Sequence, residues 1–580
     1  MRYLLYVLAI GFCSVGMAQT NLQFTNSAME DVLMGNFIPD FLPVTPPDAA
    51  AQSIVDQLSP DSLRVYLEEM STFGNRNTGS DTTSATFGMG AARRWAKARF
   101  DGFSQQSGGR MLTGHFQFDQ PVCGMGQHRN VLGVLPGVGP HAEEFVLVEA
   151  HFDSRCEDGC DVLCDAAGME DNGSGSALVM ELARVMSGLA FDRTIVFMLT
   201  TGEEQGLIGA NAFAEWTELN DLPLRAVLNN DVIGGVICGQ TASPPGCPGL
   251  NDVDSTNVRI YSAGNINSKH KNLARFIKMQ YTQDVETLMD VPTVINIMSP
   301  EDRTGRGGDH IPFRQRNYPA VRFTSANEHG NGNPSTPGYS DRQHTHDDEL
   351  GVDTDGDGQL DSFFVDFNYL YRNAVINGYA LHTAASGPAS PDDFTATGID
   401  NSGMRIEIND PTGETTRYVV AAREFGSLEW SYITEMTGTL DTLMDAPADV
   451  NFLWSVAALD DLDRESLFIG EEIENYDVAT ADPNAPEQTA VELLQNRPNP
   501  FDEATWFGVM VHENLGYREA HIRVQDMEGR ELARLPIDLQ PGLNEVLYGF
   551  EHHRYVPGTY AYSLVVDGKP VATRRMVYAW

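Results

Sequence analysis

Apolar residues follow two alternating patterns over the first two thirds of the chain. Short apolar runs are typical of β-strands, and longer stretches with apolar residues three and four positions apart are typical of amphipathic helices. Because the two kinds alternate, the sequence predicts an α/β fold with a central, mostly parallel sheet flanked by helices. The strand candidates are Val131–Leu135, Phe145–Val148, Thr194–Leu199 and Ala226–Leu228, and the helix candidates are Ala177–Met186, Ala210–Trp216 and Phe363–Leu381.

A helical pattern also covers residues 51–103, where Leu63, Tyr66, Leu67 and Met70 share one face. The preceding residues 19–52 contain many prolines and polar residues, so we interpret them as a linker or a short pro-segment. The α/β unit is therefore predicted to span residues 53–386.

After residue 386 the pattern changes to short alternating segments separated by Gly, Asp and Pro, which is typical of β-sandwiches. This alternation predicts one all-β sandwich domain over residues 387–485 and a second over residues 486–580. Three folded units agree with a length of 580 residues, which is too long for one hydrophobic core.

The amino terminus has the features of a secretory signal peptide. Arg2 precedes an apolar run from Leu4 to Val15, and Gly16 and Ala18 supply small residues at positions −3 and −1 of a cleavage site. The run is shorter than the ~20 apolar residues that a membrane anchor requires, and no other run is long enough. We therefore expect residues 1–18 to be removed, no transmembrane anchor, and a protein secreted or held at the cell surface.

The net charge argues against one class of partner. A formal net charge of −43 argues against nucleic acid, because phosphates would be repelled.

The cysteine content favours disulfides. Removal of Cys13 with the signal peptide leaves six of the seven cysteines, an even number that favours disulfides in an exported chain. Cys238 and Cys247 bracket a Gly/Pro-rich loop and are the expected pair. A thiolate metal site at Cys156, Cys160 and Cys164 remains the alternative to disulfides.

Five short segments between residues 151 and 348 combine imidazoles with carboxylates. Four of them follow a strand candidate or the turn after one, and carboxyl ends of strands converge on the ligand crevice of an α/β sheet. Two His with several carboxylates suit a pair of divalent ions. The segments are HFD with His151 and Asp153, DNGSG with Asp171, TTGEEQGLIGA with Glu203 and Glu204, NNDVIG with Asp231, and HTHDD with His344, His346, Asp347 and Asp348.

Two of these segments suggest roles from their spacing alone. His151 and Asp153 face the same side of an extended segment, so we expect the Asp153 side chain to orient the His151 imidazole. The adjacent Glu203 and Glu204 suit a division of labour between a metal ligand and a general base.

The five motifs in this order resemble the aminopeptidase-type zinc exopeptidases of metallopeptidase family 28, over about residues 53–386. NVLGVLPG (130–137) and GGDHIPF (307–313) belong to the same pattern. The resemblance implies the zinc exopeptidase fold and hydrolysis of peptide bonds with two zinc ions and with Glu203 as general base. The implied ligands are His151, Asp171 and Asp231 for one ion and Asp171, Glu204 and His344 for the other, with Asp153, Asp309 and His310 as supporting or substrate-contacting residues.

The last ligand segment departs from the family pattern at one position. The pattern selects His344, followed by Asp348, and leaves His346 as the alternative ligand. Many members have a Tyr immediately before this His, where it steadies the oxyanion, and this chain has Gln343 instead. The resemblance therefore does not assign an oxyanion partner.

An acidic segment after this His has the spacing of a calcium-binding loop. Position twelve of the loop is Phe364 rather than Glu, so Asp366 is the candidate substitute. The candidate calcium ligands are Asp353, Asp355, Asp357, Gln359 and Asp361.

The two β domains carry resemblances of their own. Residues 387–485 resemble a fibronectin type III-like sandwich. LQNRPNPF (494–501) and the basic, apolar end RRMVYAW (574–580) resemble the C-terminal sorting domain of the type IX secretion pathway. This resemblance implies the outer-membrane type IX machinery as a partner, besides peptide or protein substrates.

The sequence is also compatible with several functions other than that of an aminopeptidase. A carboxypeptidase, a dipeptidase or a glutaminyl cyclase with one zinc would share the fold. An inactive surface protein that binds through its β domains is the alternative of another class.

Overall fold

A nine-stranded mixed sheet forms the centre of the molecule, in the strand order β1-β2-β3-β5-β4-β6-β9-β7-β8. The computed structural model describes residues 19–37, 42–239, 245–303, 306–328, 334–335, 342–399, 403–424, 427–444, 446, 452–473, 491–501, 504–511, 518–525, 530–549 and 558–578. The strands are β1 (Thr20–Phe24), β2 (Leu112–Val122), β3 (Met125–Leu135), β4 (Phe145–His151), β5 (Thr194–Thr200), β6 (Leu224–Asn230), β7 (Asn257–Ser262), β8 (Val294–Ile297) and β9 (Ala320–Ser325).

The parallel part of this sheet is its centre, where β5, β4, β6 and β9 run in one direction. The strands β1, β2 and β3 on one side and β7 on the other join through antiparallel pairs, and β8 pairs with β7 in parallel, so the sheet is mixed and the predicted α/β fold is confirmed. All residues of β4 and β5 are buried, as expected for strands covered by helices on both faces. The chain leaves β4 for β5 on one side and then crosses to β6 on the other, which creates a crevice at the carboxyl end of β4.

Helices cover both faces of the sheet and bury two separate apolar clusters against it. Apolar residues of α2, α3, α4, α5, α7 and α9 form the larger cluster, and those of α1, α6 and α8 contribute to the smaller one. No helix in the described ranges is long and apolar enough to cross a bilayer. The helices are α1 (Ser27–Leu33), α2 (Pro47–Gln57), α3 (Pro60–Ser71), α4 (Gly88–Gln106), α5 (Gly175–Met186), α6 (Ile208–Leu219), α7 (Lys269–Gln280), α8 (His310–Gln315) and α9 (Phe367–Ser386).

The structure corrects the interpretation of residues 19–52 as a linker, whereas their interpretation as a short pro-segment stays a prediction. The strand β1 pairs with β2 at the edge of the sheet, and α1 buries Met29, Val32 and Leu33. Alternation of apolar and polar residues over only five positions is too short a signal to distinguish an edge strand from a loop. The predicted signal peptide, residues 1–18, lies outside the described residues.

Two predicted helical stretches end or begin elsewhere than expected. The stretch 51–103 is interrupted between α3 and α4, where residues 72–87 leave the helix and bury Arg76 and Asn77. The last helix begins at Phe367 rather than Phe363, because the side chain of Asp366 accepts hydrogen bonds from the backbone N–H groups of Asn368 and Tyr369 and caps α9.

The remaining strands form small antiparallel sheets. Over residues 393–473 a three-stranded sheet, β12-β13-β16, and a four-stranded sheet, β15-β14-β17-β18, share one buried cluster. Over residues 491–578 the sheets β19-β20-β23 and β22-β21-β24-β25 share another. The resemblances to a fibronectin type III-like domain and to a sorting domain stay predictions. These strands are β12 (Asp393–Ile399), β13 (Gly403–Asn409), β14 (Arg417–Glu424), β15 (Tyr432–Thr437), β16 (Leu440–Leu443), β17 (Phe452–Leu459), β18 (Glu472–Ile473), β19 (Val491–Leu493), β20 (Ala504–Val511), β21 (Ala520–Gln525), β22 (Glu531–Pro536), β23 (Gly542–Gly549), β24 (Gly558–Val566) and β25 (Lys569–Tyr578).

The sheets of residues 393–473 pack directly against the α/β unit. Val419, Ala421 and Phe468 belong to the same apolar cluster as the helices α7 and α9. The buried carboxylate of Glu471 binds two buried guanidinium groups, that of Arg275 on α7 at 2.9 Å and that of Arg423 on β14 at 2.5 Å. A carboxylate between two guanidiniums satisfies charges that would otherwise be costly to bury.

Candidate metal centre

Strand ends bring the five predicted segments to one crevice. His151 is the last residue of β4, Glu203 and Glu204 follow β5, and Asp231 follows β6. Asp171 lies in the segment Met169–Ser174, directly before α5, and its own backbone is extended (φ −111°, ψ 93°). His344 is carried by the irregular segment after β9. All five predicted metal ligands therefore lie together, although they are up to 193 positions apart in the sequence.

The carboxylate of Asp171 lies between the two imidazoles. Its Oδ1 is 3.0 Å from Nε2 of His151, and its Oδ2 is 3.1 Å from Nε2 of His344. Nε2 of His151 is also 3.3 Å from Oδ1 of Asp231, and Nε2 of His344 is 3.4 Å from Oε2 of Glu204. The candidate ligand atoms form two trios that share Asp171, and within each trio the atoms lie within 4.8 Å of one another.

This donor set fits zinc. Imidazole nitrogens and carboxylate oxygens are zinc ligands in proteins, and a carboxylate with one oxygen toward each trio suits two neighbouring ions. The side chains of Asp171, Glu204 and Asp231 are 3 to 5% exposed, and buried carboxylates repel one another unless cations lie among them. Oε1 of Glu204 is buried without a hydrogen-bond partner among the described residues, as expected for an oxygen reserved for a metal.

Glu203 lies beside the trios without belonging to either of them. Burial raises the pKa of Glu203 well above its usual range, and the carboxylates of Asp231, Asp309 and Asp171 raise it further, whereas His151 lowers it. A carboxyl group with a raised pKa is suited to accept and hold a proton.

Asp153 supports the site in a different way from the one predicted. Nδ1 of His151 is 3.0 Å from the backbone oxygen of Asp153 and 3.8 Å from its carboxylate, so the carbonyl group orients the imidazole. The carboxylate accepts hydrogen bonds from the backbone N–H groups of Glu203 and Glu204, both at 3.2 Å. Those two N–H groups lie beyond the end of β5, and a buried carboxylate is a strong acceptor for them.

Two charged residues that the sequence did not single out as ligand supports hold Asp171 and Asp231. The carboxylate of Asp348 accepts hydrogen bonds from the backbone N–H groups of Glu170 at 2.9 Å and Asp171 at 3.0 Å. Nη2 of Arg322, on β9, is 3.0 Å from Oδ2 of Asp231. Burial opposes ionisation of Asp231, but Arg322 and His151 outweigh it and hold the pKa of Asp231 below its usual value. The family pattern pointed to Asp348 without a role, and nothing local in the sequence pointed to Arg322.

Asp309 and His310 lie buried next to the site but outside both trios. The hydroxyl of Thr200 donates to Asp309, and burial raises the pKa of Asp309 to about 7. Burial lowers the pKa of His310 to about 4, so this imidazole is neutral near pH 7. Their predicted role as supporting or substrate-contacting residues stays a prediction.

A disulfide-bonded loop, residues 155–165, borders the site. Cys123 pairs with Cys160 and Cys156 with Cys164, so these cysteines form disulfides and not the alternative thiolate site; Cys238 pairs with Cys247 as predicted. Nη1 of Arg155 is 3.8 Å from Oε2 of Glu204. His346, the alternative to His344, is exposed and contacts Glu157 of this loop at 2.9 Å.

The predicted calcium loop forms the turn between β10 (Gly351–Val352) and β11 (Ser362–Phe363). Carboxylate oxygens of Asp353, Asp355 and Asp357 lie within 4.8 Å of one another and are exposed. Asp361 instead accepts hydrogen bonds from Thr354, and Asp366 caps α9. Both capping hydrogen bonds end on Oδ1 of Asp366, which lies outside the cluster of three, so its role as the substitute ligand stays a prediction.

Comparison with known proteins agrees with this site. The sequence pattern of peptidase family M28 matches residues 130–360. A probable zinc metalloprotease of Pyricularia oryzae is 33% identical over 362 residues, which are 59% of this chain and 67% of the relative. A probable zinc metalloprotease of Pyrenophora tritici-repentis is 30% identical over 370 residues, which are 61% of this chain and 80% of the relative. The chain belongs to peptidase family M28.

Solved structures similar to this M28 chain include enzymes of more than one activity. The aminopeptidase LapA of Legionella pneumophila has a TM-score of 0.41 and 17% identity, over 58% of this chain and 74% of LapA. The glutaminyl cyclase of Porphyromonas gingivalis has a TM-score of 0.39 and 16% identity, over 56% of this chain and 98% of the cyclase. The family assignment rests on the sequence relatives.

Asp348 offers a test of how the M28 site is held. We expect Asp348→Asn to weaken zinc binding about 10- to 100-fold, because an amide cannot accept both backbone N–H groups and ligand supports have effects of this size. Competition with a chelator measures the affinity. The control is Asp347→Asn, whose side chain is 69% exposed and which should bind zinc like the wild type. Equal zinc affinity in Asp348→Asn and the wild type would contradict this role.

Proposed function

We propose that this M28 peptidase removes amino-terminal residues from peptides with two zinc ions held by His151, Asp171 and Asp231 and by Asp171, Glu204 and His344. The observation that carries the proposal is the Asp171 carboxylate, which directs one oxygen to each trio. Zinc bound there supplies Lewis acidity for the scissile carbonyl and lowers the pKa of an attacking water.

Glu203 is the proposed general base. Its raised pKa suits it to take the proton of the attacking water and to carry that proton. The water oxygen bonds to the carbonyl carbon, the C–N bond then breaks, and Glu203 returns the proton to the leaving nitrogen. Asp153 holds the backbone of Glu203 in place for both transfers.

The charge around the site favours an amino-terminal substrate. Glu157, Asp158, Asp161 and Asp165 are exposed on the disulfide-bonded loop beside Glu204. Together with the net charge of −43, they attract a free α-ammonium group and repel a free carboxylate. This favours an aminopeptidase over a carboxypeptidase among hydrolases of this family.

Chromogenic substrates and one variant test this proposal. We expect the wild type to hydrolyse aminoacyl p-nitroanilides, to spare their N-acetylated forms, and to contain two zinc ions per chain. Glu203→Gln should keep both ions and lose about 10²- to 10⁴-fold in kcat, because it cannot take up the proton. Glu218→Gln, on the exposed side of α6, is the matched control with wild-type activity. Full activity in Glu203→Gln, or cleavage of the blocked substrates alone, would refute the proposal.

We also propose that the loop 353–361 binds calcium and steadies the segment that carries His344. Three carboxylates at alternate positions and two Gly residues with positive φ support it. With zinc held constant, millimolar calcium should raise the melting temperature of the wild type and leave that of Asp355→Asn unchanged. An equal response of both proteins would contradict the proposal.

Export is a further part of the proposed function. We propose that residues 1–18 direct passage across the inner membrane and that residues 486–580 direct passage across the outer membrane by the type IX machinery. The motifs at 494–501 and 574–580 support this route. In a bacterial host with that pathway, the full chain should reach the medium or cell surface, and a chain ending at residue 485 should stay in the periplasm. Equal export of both chains would exclude a sorting role.

A further inference from the structure

Two arginines beside the strand β2 have no acidic partner. They are Arg93 on α4 and Arg129 on β3, here called the arginine pair. The side chain of Arg93 makes no hydrogen bond and no ion pair within the described ranges, although it is partly exposed and none of its nitrogens is sealed from solvent. Arg129 donates only to amide oxygens, those of Gln117 at 2.8 Å and Gln127 at 3.4 Å. No carboxylate in the described part of the chain therefore binds either guanidinium.

The helix α4 lies against β2 and runs antiparallel to it. The hydroxyl of Ser104 donates to the backbone oxygen of Met111 at 2.6 Å, and the hydroxyl of Thr113 donates to the carboxylate of Asp101. Earlier positions on the helix therefore meet later positions on the strand. Four helical residues advance about 6 Å and two strand residues about 7 Å, so each turn of α4 matches two residues of β2.

This match brings the arginine pair to one place beside a histidine. One step from the contact between Asp101 and the strand places Lys97 beside His115, and the next step places Arg93 beside Gln117. The guanidinium of Arg129 is already bound to the Gln117 side chain. The two guanidiniums and the imidazole therefore lie around one patch of the surface.

The pKa of His115 agrees with this placement. Burial lowers this pKa to about 4, and the charges of Arg93, Arg129 and Lys97 act in the same direction, whereas Asp101 acts against them. The imidazole is therefore neutral near pH 7 and has one N–H group to donate. The ring has no hydrogen-bond partner among the described residues, so this N–H group is available to a ligand.

The charges around the arginine pair do not cancel. Lys97 and Asp101 form an ion pair of 2.8 Å, and Arg94 lies near Asp81, whose pKa it lowers. The carboxylate of Asp119, further along β2, accepts hydrogen bonds from two side-chain amides. With these groups accounted for, two positive charges are left without a partner in a chain whose net charge is −43.

A guanidinium without an anion is costly where it is partly buried. Burial and the like charges of Arg129 and Arg94 lower the pKa of Arg93 to about 10. Such a charge is held at low cost only when an opposite charge lies against it. Because guanidinium groups only donate, in a forked geometry, and the neutral imidazole adds a donor, the matching partner is an anion with several oxygens.

We propose that the arginine pair and His115 bind a phosphate group. A phosphate carries about two negative charges and three acceptor oxygens, which match two guanidiniums and one imidazole N–H group. The group is either free phosphate or a phosphate monoester on a larger molecule, since both present the same oxygens. This inference is independent of the metal centre and of the proposed peptidase function.

Titration calorimetry on full-length, zinc-loaded protein tests the site with inorganic phosphate. Phosphate also binds zinc, so an amino acid hydroxamate first saturates the metal centre. Arg93→Gln and Arg129→Gln should each weaken phosphate about 10- to 100-fold, the size of one lost hydrogen bond to a charged group. The control is Arg99→Gln, on the same helix, whose guanidinium is paired with Glu69 and which should bind phosphate like the wild type.

Two further probes define the ligand. Glucose 6-phosphate should bind at least as tightly as inorganic phosphate if the natural ligand is a monoester, and more weakly if it is free phosphate. In either case Arg93→Gln should weaken the tighter of the two. Acetate should bind more than about tenfold more weakly than phosphate, because it has less charge and fewer oxygens.

The imidazole gives a readout that a structural role would not change. Histidine NMR, assigned with His115→Gln, follows the titration of this ring. Saturating phosphate should raise the pKa of His115 by about 1 to 3 pH units, because a neighbouring anion favours the imidazolium. In Arg93→Gln the same phosphate concentration should leave the pKa unchanged.

Several outcomes would overturn the inference. They are no phosphate binding to the wild type once the metal centre is blocked, equal affinity in Arg93→Gln and the wild type, an equal loss in Arg99→Gln, and a His115 pKa that phosphate does not move. Tighter binding of acetate than of phosphate would make this a carboxylate site instead. If Arg93→Gln does not fold, Arg129→Gln decides, and wild-type phosphate affinity in it would contradict the proposal.

Discussion

The carboxylate of Asp171, with one oxygen toward each of two imidazoles, is the contact around which the catalytic half of the molecule is arranged. It imposes a severe electrostatic constraint, because Asp171, Glu204 and Asp231 are buried together with Glu203 and Asp153 nearby. Burial raises the pKa of Glu203, Glu204 and Asp153, so these carboxylates are ionised together only with further positive charge in the crevice, which a metal ion would supply.

The surrounding structure fixes this carboxylate through backbone groups. Asp348 accepts hydrogen bonds from the N–H groups of Glu170 and Asp171. The amide of Asn172 donates to the backbone oxygen of Asn230, and Ser176 donates to that of His151. Arg76, which is fully buried, donates to the backbone oxygens of Phe152 and Gly168. The strand ends and the turn before α5 are thus held to one another, which fixes the relative positions of the ligands.

The sequence predicted best the parts of the fold in which a long apolar run is followed by a His or a carboxylate. The four predicted central strands and the five ligand segments lie where expected, because long apolar runs and His or carboxylate groups at strand ends leave clear local patterns. Arg322 could not be assigned in this way, since its partner Asp231 is 91 positions away and nothing near either residue specifies the pair. The sequence pointed to Asp153 but not to the role of its carboxylate, which accepts hydrogen bonds from N–H groups 50 and 51 positions later. Edge strand β1 was missed because its pairing with β2, not its own composition, makes it a strand.

The carboxylate of Glu471 has a practical consequence for work on this enzyme. Its two guanidinium partners come from either side of the boundary near residue 386, and the apolar cluster of α7 and α9 continues into the neighbouring sheets. A truncated protein that stops at that boundary would deprive Arg275 of its carboxylate partner and would expose the apolar residues that cluster with Val419 and Phe468. The smallest fragment worth expressing for crystallisation therefore runs through β18, to residue 473.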